Sequence, residues 1–303
     1  MLTGKGTRCC VVLLAAVWSR SADAQTWTQF EMNRCDAEDQ SSPRPARPAG
    51  SAGATSFVPY FFDGFESYPD GAQLSAGKPF DAAGRTTASS DQARHGRHSA
   101  RMTIHQGDQG GYGRWGGVIP VTPALPRGRE IWVRLYAYWP QDFQFTASPW
   151  MKFLRLHNRT EDGRNGGYND LYVDKADETQ SVLRTIKETH NRWQTYDGPA
   201  LPRDRWERYE VYLFIDDRPV DAGGQARLRV WRDEELIFDR TDVPTISTRD
   251  GTIDYLYLFT YWNNETPPTN HVFIDDLTIA TSASPPPNRD RAGNRRIGDW
   301  MPE

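Results

Sequence analysis

The chain has 303 residues, of which 25% are charged, 37% are hydrophobic and 12% are aromatic. This composition is typical of a folded globular protein and excludes a largely disordered chain. The formal net charge of −4 provides no general attraction to nucleic acid, so we expect no nucleic-acid partner.

The first 24 residues have the layout of a secretory signal peptide. Lys5 and Arg8 precede a short apolar run at 9–18, and Ala22 and Ala24 form a small-residue cleavage site. We therefore expect cleavage after Ala24 and a secreted or periplasmic protein. No later segment approaches the length of apolar sequence that a membrane helix needs.

Composition places a folded body between two tails. Residues 25–56 are rich in Pro, Ala, Gly and Ser and predict a flexible leader, and residues 282–303, with three consecutive prolines, predict a flexible C-terminal tail. The body at 57–281 has the size of one large β-domain. We expect it to be a monomer.

The body contains short runs rich in aromatic and β-branched residues, separated by Gly, Pro, Asn and Asp. Strands are predicted at 57–65, 99–106, 130–140, 150–158, 168–174, 206–216, 226–239, 252–262 and 271–280, and one short helix at 179–187. Many strands without a βαβ rhythm predict an all-β protein, an antiparallel sandwich or jelly roll.

Three short motifs in this body resemble the concanavalin A-like jelly rolls shared by legume lectins, laminarinases and several polysaccharide lyases. The motifs are FDGFE at 62–66, GRHSAR at 96–101 and IDDLTI at 274–279. The resemblance implies a curved sheet that binds glycans across its concave face. It also implies a structural Ca²⁺ held by Glu66, the carbonyl of Gly96 and Asp275, since calcium prefers oxygen ligands; no other cofactor is expected.

The chemistry of the concave face separates the enzymes of this superfamily. Retaining glucanases need an E-x-D-x-x-E strand, which the chain lacks. The predicted strand at 150–158 instead carries Lys152, Arg155 and His157, groups suited to β-elimination from a uronate. Strand alternation places Arg155 and His157 on one face and Lys152 on the other, unless a bulge intervenes.

Two comparisons link this strand to lyases. Arg155-Leu156-His157 resembles the Q-I-H strand of alginate lyases, with arginine in place of glutamine, and Lys152 is similar to the lysine in a G-K-L strand of another alginate and glucuronan lyase group. The resemblance implies that Arg155 or His157 neutralises the uronate carboxylate. A tyrosine would then move the proton, for which Tyr168, Tyr172, Tyr257 and Tyr261 are candidates.

Further aromatic and basic residues are candidates for substrate binding. Arg134, Tyr136 and Tyr138 alternate with smaller apolar residues and predict a polar strand face, either a uronate-binding groove or an ordinary solvated surface. Tyr257 belongs to an alternating aromatic stripe that ends at Trp262. Such stripes are also typical of core packing.

The leading hypothesis is an exported polysaccharide lyase that cleaves an acidic, uronate-containing glycan by β-elimination. One alternative is a non-catalytic carbohydrate-binding or lectin-like protein of the same fold. Another is a glycoside hydrolase with an unrecognised acid pair, for which Asp170, Asp174 and Glu210 are conceivable.

Overall fold

The computed structural model describes residues 57–74, 86–107, 116–144, 150–175, 181–262 and 269–302. The predicted signal peptide and leader at 1–56 lie outside the described residues. The described chain from residue 57 onward belongs to one compact unit. No helix within these ranges has the length and apolar character to cross a membrane.

The described chain is almost entirely antiparallel β-structure, as predicted. Its strands are β1 Phe61–Asp63, β2 Thr86–Ser89, β3 Ser99–Ile104, β4 Gly117–Pro126, β5 Glu130–Tyr138, β6 Trp150–Arg159, β7 Asn165–Lys175, β8 Ser181–Lys187, β9 Arg192–Thr195, β10 Trp206–Phe214, β11 Arg227–Arg232, β12 Glu235–Arg240, β13 Thr252–Trp262, β14 Asn270–Thr281, β15 Asn288–Arg289 and β16 Arg295–Arg296. Two 3₁₀ turns span Glu188–His190 and Val220–Ala222.

Two sheets form a jelly-roll sandwich. Sheet A has the order β12-β11-β10-β5-β14-β3-β2, with β1 also paired to β14. Sheet B has the order β4-β13-β6-β7-β8-β9. Both sheets contribute to one large apolar cluster, which includes Val133 and Leu135 from sheet A and Leu154, Leu156 and Leu171 from sheet B. Each sheet therefore has an inner face in the core and an outer face directed away from it.

The helix predicted at 179–187 is wrong, because residues 181–187 form β8 and pair with both β7 and β9. The side chains of Leu183 and Thr185 are fully buried, and Lys187 is nearly so. The next residues form the 3₁₀ turn, which ends at Asn191 in the left-handed conformation. This turn reverses the chain into edge strand β9.

The flexible tail predicted from residue 282 is also wrong. Residues 282–302, here the C-terminal segment, contain the β15–β16 hairpin and lie against the outer face of sheet A. The indole of Trp132 donates to the carbonyl of Arg295 at 3.0 Å, and that of Trp231 donates to Asp290 Oδ2 at 3.0 Å. Ile297 is completely buried in the same interface.

Candidate functional site

A β-bulge in β6 brings the three predicted polar residues of that strand to one face. The register against β7 shifts between Lys152 and Leu154, and both Phe153 and Leu154 point into the core. Alternation then resumes, with Arg155 and His157 on the outer face. Because the bulge adds one residue, Lys152 joins them there, and the two lyase resemblances are compatible on a single face.

The neighbouring strands surround these groups with tyrosines and acids. On β7, Tyr172, Asp170 and Tyr168 lie opposite Lys152, Arg155 and His157, respectively. On β13, Tyr257 lies opposite Arg155 and Tyr255 lies opposite His157. We call this outer surface of sheet B the polar face.

Arg155 is buried at the centre of the polar face between two carboxylates. Its Nε donates to Asp170 at 2.7 Å and its Nη2 to Glu188 at 2.5 Å, and its side chain is only 3% exposed. Burial opposes its charge, but Asp170 and Glu188 outweigh that effect and raise the pKa of Arg155. Its guanidinium also lies 3.6 Å from the ring centre of Tyr168. Arg155 is thus already charge-balanced and fixes the neighbouring side chains in place.

His157 is likewise held by partners within the face. Nδ1 lies 2.5 Å from Asp254 Oδ1, and Nε2 lies 3.2 Å from Asn165 Oδ1. The amide of Gly167 donates to the same Asn165 oxygen at 2.7 Å, which identifies that atom as an acceptor. Arg159 Nε donates to the other oxygen of Asp254 at 2.6 Å. Both ring nitrogens therefore face acceptor oxygens, an arrangement that suits an imidazolium.

Lys152 is the partly exposed cation of this group, and its Nζ lies 5.9 Å from the ring centre of Tyr172. Burial, reinforced by the charge of Arg155, lowers the pKa of Lys152 to about 8. With this pKa, roughly one tenth of the protein molecules carry a neutral Lys152 amine at pH 7, and that amine can accept a proton.

The buried tyrosines have the opposite tendency. Tyr168 and Tyr172 are 3% and 4% exposed, and burial raises the pKa of both phenols. Both phenols therefore stay protonated at neutral pH and cannot act as bases there. The Tyr172 hydroxyl lies 3.3 Å from Glu188 Oε1, which links it to the ion-pair network of Arg155.

The residues predicted to bind substrate on β5, Arg134, Tyr136 and Tyr138, lie in sheet A and not beside the polar face. Arg134 is completely buried and donates to the carbonyls of Gly298, Trp300 and Asp276 and to the Thr278 hydroxyl. Tyr136 donates to Asp299 at 3.0 Å and Tyr138 to Asp204 at 3.2 Å. The predicted alternation is confirmed, and the C-terminal segment covers the outward side chains of Arg134 and Tyr136.

The three acids considered for a hydrolase do not form a site together, because they lie on different sheets. Glu210 lies on β10 of sheet A, where its carboxylate accepts hydrogen bonds from the amides of Ile297 and Gly298 at 2.5 and 3.0 Å. Asp170 and Asp174 lie on β7 of sheet B, and both are engaged by arginines. Glu210 therefore anchors the C-terminal segment.

Two further candidates lie at the end of β13. The backbone of Tyr261 pairs with Lys152, and that of Trp262 pairs with Met151. Their side chains are outside the described residues. Their roles in catalysis and binding stay predictions.

The calcium ligands implied by the family resemblance do not fit a metal centre in this structure. Glu66 accepts hydrogen bonds from the amides of Arg97 and His98 at 2.8–3.0 Å. The Asp275 carboxylate accepts from three backbone amides, those of residues 94, 95 and 276. Gly96 has φ +64°, and a Cβ there would lie 2.3 Å from the Glu66 carboxyl carbon. The turn amides thus occupy these carboxylates, and the described residues contain no cluster of three or more acidic, His or Cys side chains suited to a metal.

Several residues of the polar face were not predicted from the sequence. Asp254 and Glu188 lie far along the chain from the residues they contact, and only the strand pairing brings them together. Tyr255 was visible in the aromatic stripe, and its ring lies 6.2 Å from that of His157. Arg184 lies on β8 and Trp193 on β9, and the sequence predicts a strand at neither position.

Several solved structures are similar to this chain. One is the alginate lyase Aly36B, which was solved with alginate tetrasaccharide after a lysine and a tyrosine were replaced by alanine. It is 12% identical to this chain, the alignment covers 72% of this chain and 95% of Aly36B, and the TM-score is 0.54. An endo-β-1,4-glucuronan lyase from the fungus Trichoderma reesei has 14% identity, covers 74% and 95%, and gives 0.48. An alginate lyase, vAL-1, from Chlorella virus has 11% identity, covers 64% and 88%, and gives 0.45. A search of curated proteins found no match.

A family model described as polysaccharide lyase matches residues 62–278. The match spans nearly all of the described sandwich and includes every strand of the polar face. The chain therefore belongs to the polysaccharide lyase family, and it is a lyase rather than a non-catalytic binding protein.

Proposed function

We propose that this lyase cleaves a uronate-containing polymer by β-elimination at the polar face of sheet B. The observation that carries the proposal is the bulge in β6, which places Lys152 on the same face as Arg155 and His157. This face combines an amine of lowered pKa with phenols of raised pKa. It thus supplies a proton acceptor and proton donors side by side.

The reaction needs a base, an acid and a group that neutralises the uronate carboxylate. The neutral amine of Lys152 takes the proton from the carbon that bears the carboxylate. The electron pair left on that carbon forms a double bond to the adjacent carbon as the glycosidic C–O bond breaks. The leaving oxygen then takes a proton from a tyrosine, for which Tyr172 is the first candidate because it contacts Lys152. Tyr168, Tyr257 and Tyr261 stay alternatives.

The carboxylate must be neutralised so that the adjacent carbon can lose its proton. Of the two groups expected to do this, Arg155 is balanced by Asp170 and Glu188. His157 is the better candidate, since among the described residues its Nε2 has one hydrogen-bond partner, the neutral amide oxygen of Asn165 at 3.2 Å. A substrate carboxylate that replaces this oxygen would receive a charge-assisted hydrogen bond.

The proposed substrates are alginate or glucuronan, since the polar face carries cations suited to a polyanion. Solved proteins of related fold are alginate lyases, and the Aly36B complex was obtained with a lysine and a tyrosine replaced. This pair of residue types is the one proposed here at Lys152 and Tyr172.

The first experiment follows the ultraviolet absorbance of the unsaturated uronate on alginate and on glucuronan. We expect product from one of them, and loss of product in Lys152→Ala and in Lys152→Arg, which keeps the charge but cannot serve as a base near neutral pH. Arg129→Ala, which removes an exposed cation in the turn before β5 of sheet A, is the matched control. Full activity of both Lys152 variants would contradict the proposed mechanism.

We also propose that the protein is exported after cleavage behind Ala24. We further propose that the mature protein is a monomer. The charged start, the apolar run and the small-residue cleavage site within residues 1–24 support export and cleavage. N-terminal sequencing of the protein recovered from the periplasm or medium should begin at Gln25, and light scattering should give the mass of one chain. An uncleaved N-terminus or a dimer mass would contradict the respective part.

A further inference from the structure

We propose that Trp193 and Arg184 form a binding subsite for an acidic sugar unit of the polymer other than the unit that loses its proton. The subsite lies at the β8–β9 edge of sheet B. The inference rests on the proposed function, because it assigns the subsite to the same polyanionic substrate.

The strand register extends the polar face from Lys152 to this edge. Lys152 pairs with Tyr172, Tyr172 with Arg184, and Arg184 with Thr195 of β9. Adjacent strands lie about 4.8 Å apart, so the three steps from β6 to β9 span about 14 Å. This span exceeds the length of one sugar ring, and a polymer lying across the strands would reach both ends.

The side chains at the edge contact one another as an ordered group. The ring centres of Tyr172 and Trp193 are 5.3 Å apart, and the Arg184 guanidinium lies 4.5 Å from the Trp193 ring centre. The indole Nε1 donates to Asn191 Oδ1 at 3.1 Å. Trp193 is thereby fixed from several sides and needs little ordering when a ligand binds.

Trp193 differs from the tryptophans that build the sandwich. Trp132, Trp139 and Trp231 are 0–1% exposed, whereas Trp193 is partly exposed on the outer face of an edge strand. Its exposed part provides an apolar surface next to a cation. An uncharged ring face beside a guanidinium suits a sugar that carries a carboxylate, since the ring packs on the indole and the carboxylate meets the charge.

Arg184 has capacity for such a carboxylate. Its Nη1 donates to Asp174 at 2.6 Å, and among the described residues its guanidinium makes no other hydrogen bond. Its side chain is 24% exposed. Asp174 orients the guanidinium through Nη1, and Nε is buried, so Nη2 is the group left for a ligand.

The test measures both cleavage and binding on alginate and on glucuronan. Trp193→Ala should raise KM for the polymer about tenfold, which corresponds to 1.4 kcal/mol of lost contact energy, with a smaller effect on kcat. Trp193→Phe should recover part of the loss because a phenyl ring keeps an apolar face. Trp206→Ala, a partly exposed tryptophan in sheet A, is the control.

A second variant tests the charge. Arg184→Gln removes the cation and leaves Asp174 in place, so the local charge becomes more negative. We expect KM to become less dependent on ionic strength, because one of the cations that attracts the polyanion is gone. An unchanged salt dependence would contradict the part assigned to Arg184.

Affinity electrophoresis in gels that contain each polymer separates failure of the inference from failure of the proposed function. Cleavage with unaltered KM and retardation in Trp193→Ala would overturn the subsite and leave the function intact. Retardation that depends on Trp193, without any unsaturated product, would support the subsite and refute the elimination. Neither retardation nor product from the full chain would overturn both.

Discussion

The titration of Lys152 provides the most direct test of the proposed chemistry. If its neutral amine removes the proton, kcat/KM should rise with pH and level off above a pKa of about 8. Burial and the nearby charge of Arg155 are the causes of that lowered value. Glu188 and Asp170 act in the opposite direction and limit the shift.

The size of the effect follows from the pKa of Lys152. With a value of about 8, roughly one tenth of the enzyme carries a neutral Lys152 at pH 7 and roughly one hundredth at pH 6. Activity should therefore rise about tenfold between these two pH values. A lysine at the ordinary value of 10.5 would be neutral roughly 300-fold less often at pH 7.

The assay records initial rates of unsaturated-uronate absorbance at low substrate concentration and constant ionic strength. Glu188→Gln removes a negative charge that favours the protonated amine of Lys152. The rise of kcat/KM with pH, here called the rising limb, should therefore move to lower pH. Glu235→Gln, at an exposed position on β12 of sheet A, should leave the limb in place. Thermal unfolding at each pH shows whether the protein stays folded across the range.

A rate that is flat or falls between pH 6 and 8, in protein that stays folded, would refute Lys152 as the base. A rising limb that stays in place in Glu188→Gln would refute the electrostatic coupling while leaving the base assignment intact. These two results concern different parts of the structure, namely the amine itself and the network around Arg155.

Three further predictions concern stability. Deletion of the C-terminal segment should lower the free energy of unfolding by at least about 3 kcal/mol, measured by urea denaturation, because it leaves buried Arg134 and Glu210 without their partners. Lys187→Met should raise the melting temperature at pH 7 by a few degrees, since burial lowers the pKa of Lys187 to about 7. Because the unfolded chain binds the proton up to about pH 10, the variant should also lose the gain in stability that the wild type shows as pH rises from 7 to 10. EDTA should leave the melting temperature unchanged because backbone amides occupy Glu66 and Asp275, and a clear decrease would reveal a metal that these contacts do not indicate.

Most of the sheet framework could be predicted because aromatic and β-branched alternation is strong in the central strands. The exceptions have local causes. β4 contains Pro120, Pro123 and Pro126, which argue against a strand, but β4 lies at the edge of sheet B, where missing amide donors are tolerated. The sequence of β8 has no strong strand period and favours a helix, whereas pairing with β7 and β9 makes it a strand.

The location of the site could be predicted only in part. β6 was identified from its density of cationic side chains, and its tyrosine neighbours from their spacing. The bulge beside Phe153 could not be predicted, because strand alternation alone places Lys152 on the opposite face. The contacts of His157 with Asp254 and of Arg155 with Glu188 span 97 and 33 residues of sequence, so they depend on the assembled sheet.

The burial of Arg134 shows what a strand pattern leaves undetermined. Alternation on β5 correctly separates an apolar face from one carrying Arg134 and Tyr136, and β6 has a comparable division. The two strands differ in what covers their outward faces. The C-terminal segment lies on sheet A, where its carbonyls accept hydrogen bonds from Arg134 and Asp299 accepts one from Tyr136. On β6 the outward groups are balanced by neighbours within the sheet, and Lys152 stays partly exposed. The C-terminal segment, which composition predicts to be a loose tail, thus gives the polar groups of β5 structural partners. Lys152, the candidate base, lies on the other sheet.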